Sequence, residues 1–296
     1  MWPGKWVRPG GDAHALDLPL RLTLVVLLCR PLDPWAVTAG VMLLAVLGLV
    51  STPTLRSPLL WLAVTALAVV HLIAEWPFPD NHHYLLAYWT LGIGIALTLS
   101  APPRVLAATA RLLIGTAFLL AVLWKALLSP DYRDGRFFAV TLLTDDRFEA
   151  LVQLAGGLDA DQLAKSREYL TPLPEGAELL HPRSLPDSAQ FRALVGLLTW
   201  GGLLLELTVA VFWLLPFDRP PTKAMRHAML IAFCIATYAL APVAGFGWLL
   251  LSMGVSTTAT DQRRLRTAYV GAFGLVLLCA EVPWTSLLLD LRGRGY

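Results

Sequence analysis

The chain has 296 residues, 56% of them hydrophobic and only 15% charged, against roughly 45–50% and about 25% in an ordinary soluble domain. The 23 Lys and Arg nearly cancel the 21 Asp and Glu, leaving +2, which offers no basic face for nucleic acid, and the apolar content excludes intrinsic disorder. Three cysteines, Cys29, Cys234 and Cys279, all lie in apolar runs and are too few to staple a secreted scaffold. What is left is an all-α protein, a polytopic transmembrane helical bundle in the cell membrane, with the lipid bilayer as its partner.

A bilayer core of about 30 Å takes roughly 17–25 apolar residues per helix. The first apolar stretch, Leu16–Cys29, is short and carries Arg21. It reads either as a first span A or as a helix lying in the interface, and not as a cleavable signal peptide, since no small-residue cleavage site follows it. Span B is Trp35–Ser51, C is Pro58–Ala74, D is Tyr84–Ser100 and E is Val105–Ser129. Next comes Pro130–Gln190, the only sizeable non-membrane region, with 11 acidic residues against 6 basic. In it, Asp146-Arg-Phe-Glu149 has the form of a capping box before a short helix stopped by Gly156-Gly157. A second amphipathic stretch, Asp159–Leu170, ends at Thr171-Pro172, and Pro172 to Pro186 reads as an irregular strap. Spans F (Ala193–Leu215), G (His227–Val255) and H (Thr267–Leu289) bring the total to seven or eight. Residues 1–296 thus read as a single transmembrane domain with an extracytoplasmic helical segment at 130–190.

The bias of Lys and Arg orients the spans. With Lys5 and Arg8 in the cytoplasm and eight crossings, the links carrying Arg56, Arg104, and Arg219, Lys223 and Arg226 fall inside, as does the tail with Arg292 and Arg294. The C–D link and the acidic E–F segment fall outside. Arg30 is a mild objection, and Arg263, Arg264 and Arg266 a stronger one, because they land outside. A re-entrant G turning around Pro242 and Gly245 would remove the second objection. At about 29 residues, G is too short for two full crossings, so it is read as one span that breaks the rule.

Ionisable residues inside spans are costly and mark functional sites by default. Here they are His71, Lys125, Glu206, Glu281 and, at the edge of C, Glu75; Arg111 lies near the inner end of E, where it can snorkel. In this topology His71, Glu75 and Lys125 lie in the outer third of the bilayer, and the C–D link adds Asp80, Asn81, His82 and His83 on the same side, a site-like constellation. Plainer readings stand beside it. Lys125 is about 6 Å of rise from the end of E and can snorkel. His71 and Glu75, four residues apart, can form a helix-face pair. His82 and His83 can sit in solvent, and Glu206 and Glu281 can pair with an Arg or Ser/Thr for packing. His71, Glu75 and His82 or His83 would make three zinc ligands, but without H-E-x-x-H or a Cys pair no metal is assigned. Phosphate-loop, nucleophile-elbow and dinucleotide motifs are absent from the sequence.

Asp80-Asn-His-His-Tyr-Leu85 resembles the N-H-x-Y-L element of the HTTM (horizontally transferred transmembrane) domain family, which is related to vitamin K-dependent γ-carboxylase. The run LLAVLWKALLSPDYRDGRFF, Leu119–Phe138, is similar to that family's A-G-x-x-K-L…D-W-x-x-G segment. Leu205-Glu-Leu-Thr208 resembles its acidic helix, and Gly245-Phe-Gly247 the element after it. The resemblance covers roughly residues 12–285. It implies that Lys125 is the base that deprotonates a reduced quinone or naphthoquinone, with His82 in support. Asn81, His83, His71, Glu75 and Glu206 would form the surrounding polar cluster. Trp124 stands where the carboxylase has a second lysine, and Tyr132 where it has Trp. The chain also stops shortly after span H, where the carboxylase continues into a β-rich domain that grips its protein substrate. The resemblance therefore does not extend to carboxylation of a protein, and many bacterial members of the family carry no assigned activity.

Three readings of function follow. The first is a membrane enzyme that uses a quinone-like or lipid cofactor with Lys125 as base. The second is a non-catalytic partner in maturation, export or immunity for a secreted peptide or protein, received by the acidic outer segment. The third is a carrier with Glu206 and Glu281 on a proton path, and it ranks last because the amino-terminal half lacks interruptions matching Pro242 and Pro283.

Overall fold

A computed structural model describes residues 13–173, 175–176, 184–186, 188–216, 219–238, 245–282 and 287, without the side chains of 13–14 and 280–281. Several expectations lie outside the described residues: Pro242, Pro283, the side chain of Glu281, both chain ends with their Lys and Arg, and most of the strap from Pro172 to Pro186.

Every regular element among the described residues is helical. The first six are α1 (Ala13–Cys29), α2 (Trp35–Val50), α3 (Thr52–Leu55), α4 (Pro58–Ala74), α5 (Asn81–Thr98) and α6 (Pro102–Leu123). Proline starts three of them, where its missing N–H has no helical partner to lose. A π turn, Trp124–Leu128, extends α6 and is followed by α7 (Pro130–Arg133) and α8 (Arg136–Thr144). A 3-10 turn (Asp146–Phe148), α9 (Glu149–Leu151) and a second π turn (Val152–Gly156) lead to α10 (Ala160–Leu170). Beyond the strap, α11 (Ala189–Gly196), a third π turn (Leu197–Gly201) and α12 (Gly202–Leu214) run on as one rod. The remaining helices are α13 (Pro220–Tyr238), α14 (Phe246–Ser256) and α15 (Arg263–Glu281).

Two of these stretches, Pro102–Leu128 and Ala189–Leu214, are long and apolar enough to cross a membrane, and Trp35–Val50, Pro58–Ala74 and Phe246–Ser256 are apolar but shorter. The most apolar windows of the two long stretches are only 33% and 28% buried. Val50 on α2 is 82% exposed and Leu59 on α4 76%. In water each such side chain would forgo about 1.5–3 kcal/mol of burial. Contiguous apolar surface of this kind belongs against lipid or a partner.

The chain divides into two compact units, Met1–Phe118 with Val209–Ala280 (unit 1) and Leu119–Thr208 with Glu281–Tyr296 (unit 2). In unit 1, α1 packs on α2 and α14 with Leu20, Leu24 and Leu27 fully buried. It is an interior helix, which overturns the reading of Leu16–Cys29 as one lying in an interface. Helices α4 and α5 pair along their length, with Thr65 Oγ1 donating to Thr90 Oγ1 at 3.0 Å between them.

Span G is not one helix. Tyr238, the last residue of α13, lies against Gly247 at the start of α14, and the Cys234 thiol faces the Gly247 carbonyl at 3.8 Å. At the opposite ends, His227 Nδ1 meets the Tyr269 hydroxyl at 2.8 Å, and Gly254 lies against the same Tyr269 ring. The two helices therefore run antiparallel, as a hairpin. Every residue of α14 from Gly247 to Val255 is buried, as expected of a helix apolar on all sides. The length objection to a re-entrant G fails because α14, with 11 residues, rises only about 16 Å and need not cross.

The hairpin also moves the 256–266 loop. Arg266 reaches the carbonyl of Ala15 and the hydroxyl of Thr258, both at 3.4 Å. Arg56 closes a bidentate pair on Asp17 at 2.8 Å, and Arg21 donates to Leu49 O at 2.9 Å. Arg226 caps the Phe212 carbonyl, and Arg111 caps those of Trp213 and Leu215, instead of snorkelling. The basic residues of the B–C, F–G and G–H links thus gather at one end of unit 1. That corrects the placement of Arg263, Arg264 and Arg266 on the opposite side.

Unit 2 has its own core of Leu142, Leu143, Val152, Leu158, Leu163, Phe191 and Leu194. The helix expected from Asp159 to Leu170 is α10, closed by a capping box in which Asp159 and Gln162 exchange backbone bonds at 2.8 and 2.9 Å. The pattern at Asp146–Glu149 is not a capping box. Asp145 instead caps a 3-10 turn, accepting from Arg147 N, with its carboxyl held below the usual range by the Arg147 guanidinium.

Candidate functional site

The residues expected to converge form two clusters, one in each unit. In unit 1, the end opposite the basic links is built from the last turn of α1, the last turn of α4, the first turn of α5 and the first residue before α14. His71 Nδ1 lies 2.7 Å from the Asp33 carbonyl, and His71 Nε2 lies 3.0 Å from His83 Nδ1. A carbonyl only accepts, so His71 Nδ1 carries the hydrogen of that bond. The His82 ring lies 4.1 Å from that of His83, with its Nδ1 3.9 Å from Asp80.

His82 and His83 precede span D, and burial lowers both imidazoles, His83 to about 4. At neutral pH they are uncharged. With Arg30, Leu86, Leu249 and Gly245 they line a narrow cleft. Gly245 has φ +97°, and a β-carbon there would lie 3.4 Å from the His82 ring, so the hairpin tip presses glycine backbone on the imidazole. Arg30, the mild objection to the topology, lies with its guanidinium 5.0 Å from the Trp248 ring centroid.

Two members of the expected cluster take no part. Glu75 is the exposed C-cap of α4, and His71 spends both ring nitrogens elsewhere, so the helix-face pair does not form. Asn81 is exposed at the start of α5. With Glu75 turned away the zinc set is not assembled, and no group of three or more His, Cys, Asp or Glu among the described residues could hold a metal ion.

In unit 2, Lys125 Nζ lies 2.5 Å from Glu206 Oε1, with the two side chains 26% and 12% exposed. Lys125 therefore does not snorkel, and among the described residues the partner of Glu206 is this lysine and neither an Arg nor a hydroxyl. The pairing across 81 residues has no signature in local sequence. Lys125 sits in the first π turn, and Glu206 follows the third by one helical turn. Single-turn π segments inside helices are frequent at functional sites. The ammonium also lies 5.0 Å from the ring centroid of Tyr132, a buried residue that composition and spacing did not single out as a member of the site. Burial, and then the Glu206 carboxylate, push the Tyr132 phenol above its ordinary value, so it stays protonated. Glu206 Oε2 is buried and has no hydrogen-bond partner among the described residues. A buried carboxylate oxygen left in this state is an acceptor waiting for a donor. Against protein-family models, curated proteins and solved structures, the chain finds no match.

Proposed function

We propose that the chain is a multi-pass membrane protein similar to the HTTM proteins, and that Lys125 and Glu206 form the proton-handling pair of a membrane enzyme. In this reading α1, α2, α4, α5, α6, α11–α12, α13 and α15 cross the bilayer, and α14 returns halfway from the outer side. The hairpin then brings Arg263, Arg264 and Arg266 to the inner side, which leaves Arg30 as the exception among the short described links. Segment 130–190 is extracytoplasmic.

The single observation that supports the site is the orphaned Glu206 Oε2 beside the Lys125 ion pair. A reduced quinone or naphthoquinone would supply an acidic hydroxyl. Glu206 Oε2 is placed to accept that hydrogen bond. Lys125 can then pass its proton to Glu206 Oε1, which frees the amine lone pair to take a proton from the ligand hydroxyl. The Tyr132 ring covers the ammonium, and its phenol remains a donor.

The test is mass spectrometry of small molecules retained by the gently purified protein, wild type beside Lys125→Ala and the double variant Lys125→Met/Glu206→Leu. A quinone or naphthoquinone kept by the wild type and lost in both variants is the expected result. Bulk lipid alone in all three would overturn the enzyme reading, in favour of a non-catalytic partner of a secreted peptide.

A further inference from the structure

Unit 2 carries a second site that owes nothing to Lys125. Helices α7, α8 and α11 and the third π turn enclose an open cleft of ≈450 Å³. Its floor is apolar, formed chiefly by Ala139, Leu143, Phe191 and Val195, with Trp200 at one edge. Three arginines line it, Arg133, Arg136 and Arg192, against one carboxylate, Asp134. Arg136 is held by Asp131 and Asp134, each at 3.0 Å. Arg133 is exposed and has no ion-pair partner among the described residues.

A buried group also points to a ligand. Thr199 lines the cleft, is 1% exposed, and its hydroxyl has no hydrogen-bond partner among the described residues. A threonine inside a helix ordinarily donates to the carbonyl four residues back, as Thr208 does to Leu204. The π turn Leu197–Gly201 places Thr199 where that bond is not made. Its hydroxyl lies against Gly135, where a β-carbon would come 3.6 Å from Thr199 Oγ1 and 2.8 Å from Val195, and where φ is +80°. Glycine is required there, and it keeps the backbone low beside the hydroxyl.

We infer that this cleft binds the headgroup of an anionic phospholipid. The phosphate is held by Arg133 and the Thr199 hydroxyl, with Arg136 and Arg192 adding positive potential, and the acyl chains lie over the apolar floor toward Trp200. Arginine matches phosphate oxygens geometrically, and a hydroxyl donor without a partner gains most from a charged acceptor. The occupant is drawn from the bilayer because the wall carrying Phe191, Val195, Thr199 and Trp200 belongs to Ala189–Leu214, one of the two stretches long and apolar enough to cross it. A free phosphate would meet the same arginines but leave the apolar floor uncovered.

The proposal rests on the membrane reading and is independent of the Lys125–Glu206 pair, which none of its variants touches. The experiment is native mass spectrometry of the detergent-purified full chain titrated with dioleoylphosphatidylglycerol, dioleoylphosphatidylcholine and glycerol phosphate. Two variants are compared, Arg133→Gln and Gly196→Leu. Gly196 lines the cleft in ordinary helical conformation, and a β-carbon there meets nothing within 4 Å, so leucine fills the cleft without disturbing the fold. The expected result is preference for the phosphatidylglycerol, weakened about tenfold in each variant, with unchanged melting temperature and no displacement by millimolar glycerol phosphate. Equal binding of the two lipids, wild-type binding by Gly196→Leu, or displacement by glycerol phosphate would each overturn it.

Discussion

Both units are helical and rich in aliphatic residues, and each closes an ion pair, Arg56 with Asp17 in unit 1 and Lys125 with Glu206 in unit 2, yet the pairs sit in different surroundings. Unit 1 also links imidazoles to a backbone carbonyl, in the order Asp33, His71, His83. Unit 2 encloses a full ion pair. The helices differ in step: all three π turns among the described residues fall in unit 2. A π turn holds an extra residue and shifts the face of everything after it. The unit with the more irregular ladders is thus the one that positions the Lys125–Glu206 pair, its orphaned carboxylate oxygen and an orphaned threonine hydroxyl. Regular packing suffices to hide neutral imidazoles.

If that contrast is right, breaking the ion pair is the most damaging single change. Lys125→Met leaves the Glu206 carboxylate buried without a counter-charge and should destabilise the protein by about 3 kcal/mol. Adding Glu206→Leu should restore most of that stability, since two well-packed apolar groups replace a desolvated pair at little net cost. Thermal unfolding in detergent of both singles and the double closes the cycle. Equal destabilisation of the double and Lys125→Met would mean that the pair holds no buried charge.

Packing in unit 1 sets the next effect. A methyl at Gly254 would come 2.5 Å from a Tyr269 ring carbon and 2.8 Å from its hydroxyl. Tyr269 is fully buried and tied to His227, so it has nowhere to move. Gly254→Ala should cost about 1–3 kcal/mol. Gly196→Ala in unit 2 should be neutral or slightly stabilising, because its β-carbon meets open space. The same substitution with opposite outcomes in the two units would tie the difference to packing and not to helix propensity.

The histidine cluster supplies a pH signature that the ion pair lacks. Burial is the main reason His83 falls from 6.5 to about 4, assisted by His82 and His71 and opposed by Asp80 and Asp33. Unfolded, His83 takes up its proton near 6.5; folded, it does so only near 4. The unfolded state therefore binds more protons between those values, and stability falls as pH drops from about 6.5 to about 4, then levels off. His82 is lowered too and adds to the same slope. Melting temperature against pH should show this loss, and His83→Gln should flatten it.

Much of the fold was legible because length and hydropathy act locally. Spans B, C and D match α2, α4 and α5 to within a few residues, since an apolar run bounded by Pro or Asn carries its own ends. The hairpin in G was not, because both of its arms are apolar and hydropathy cannot tell one long helix from two that fold back. Basic residues at 263–266 were the correct signal, set aside on a length argument that assumed both arms must cross. Of the site, His71, His82 and His83 were legible as a group through their shared end of the bundle. The Lys125–Glu206 bond was not, since nothing local joins residues 81 apart, and π turns leave no mark in periodicity over so short a run.

The smallest effect compares two like-spaced stretches, of which the fold closes one as a capping box. Asp146-Arg-Phe-Glu149 and Asp159-Ala-Asp-Gln162 have the same spacing, but only the second closes a box, with Asp159 and Gln162 each accepting from the other's backbone N–H. In the first, Asp145 takes the cap of the 3-10 turn, and Asp146 and Glu149 both turn to Arg167, at 3.1 and 2.9 Å, so the box does not close. Asp159→Ala should therefore cost about 1 kcal/mol, the ordinary worth of an N-cap. It should appear as faster hydrogen exchange in the first turn of α10, while the melting temperature barely moves. Asp146→Ala should leave exchange at Glu149–Leu151 unchanged, because that carboxylate faces solvent and touches only the Arg167 guanidinium, at 3.1 Å. Exposed pairs of that kind contribute little. Two like-spaced acids with unlike effects would show that competing partners, and not the pattern itself, decide whether a cap forms.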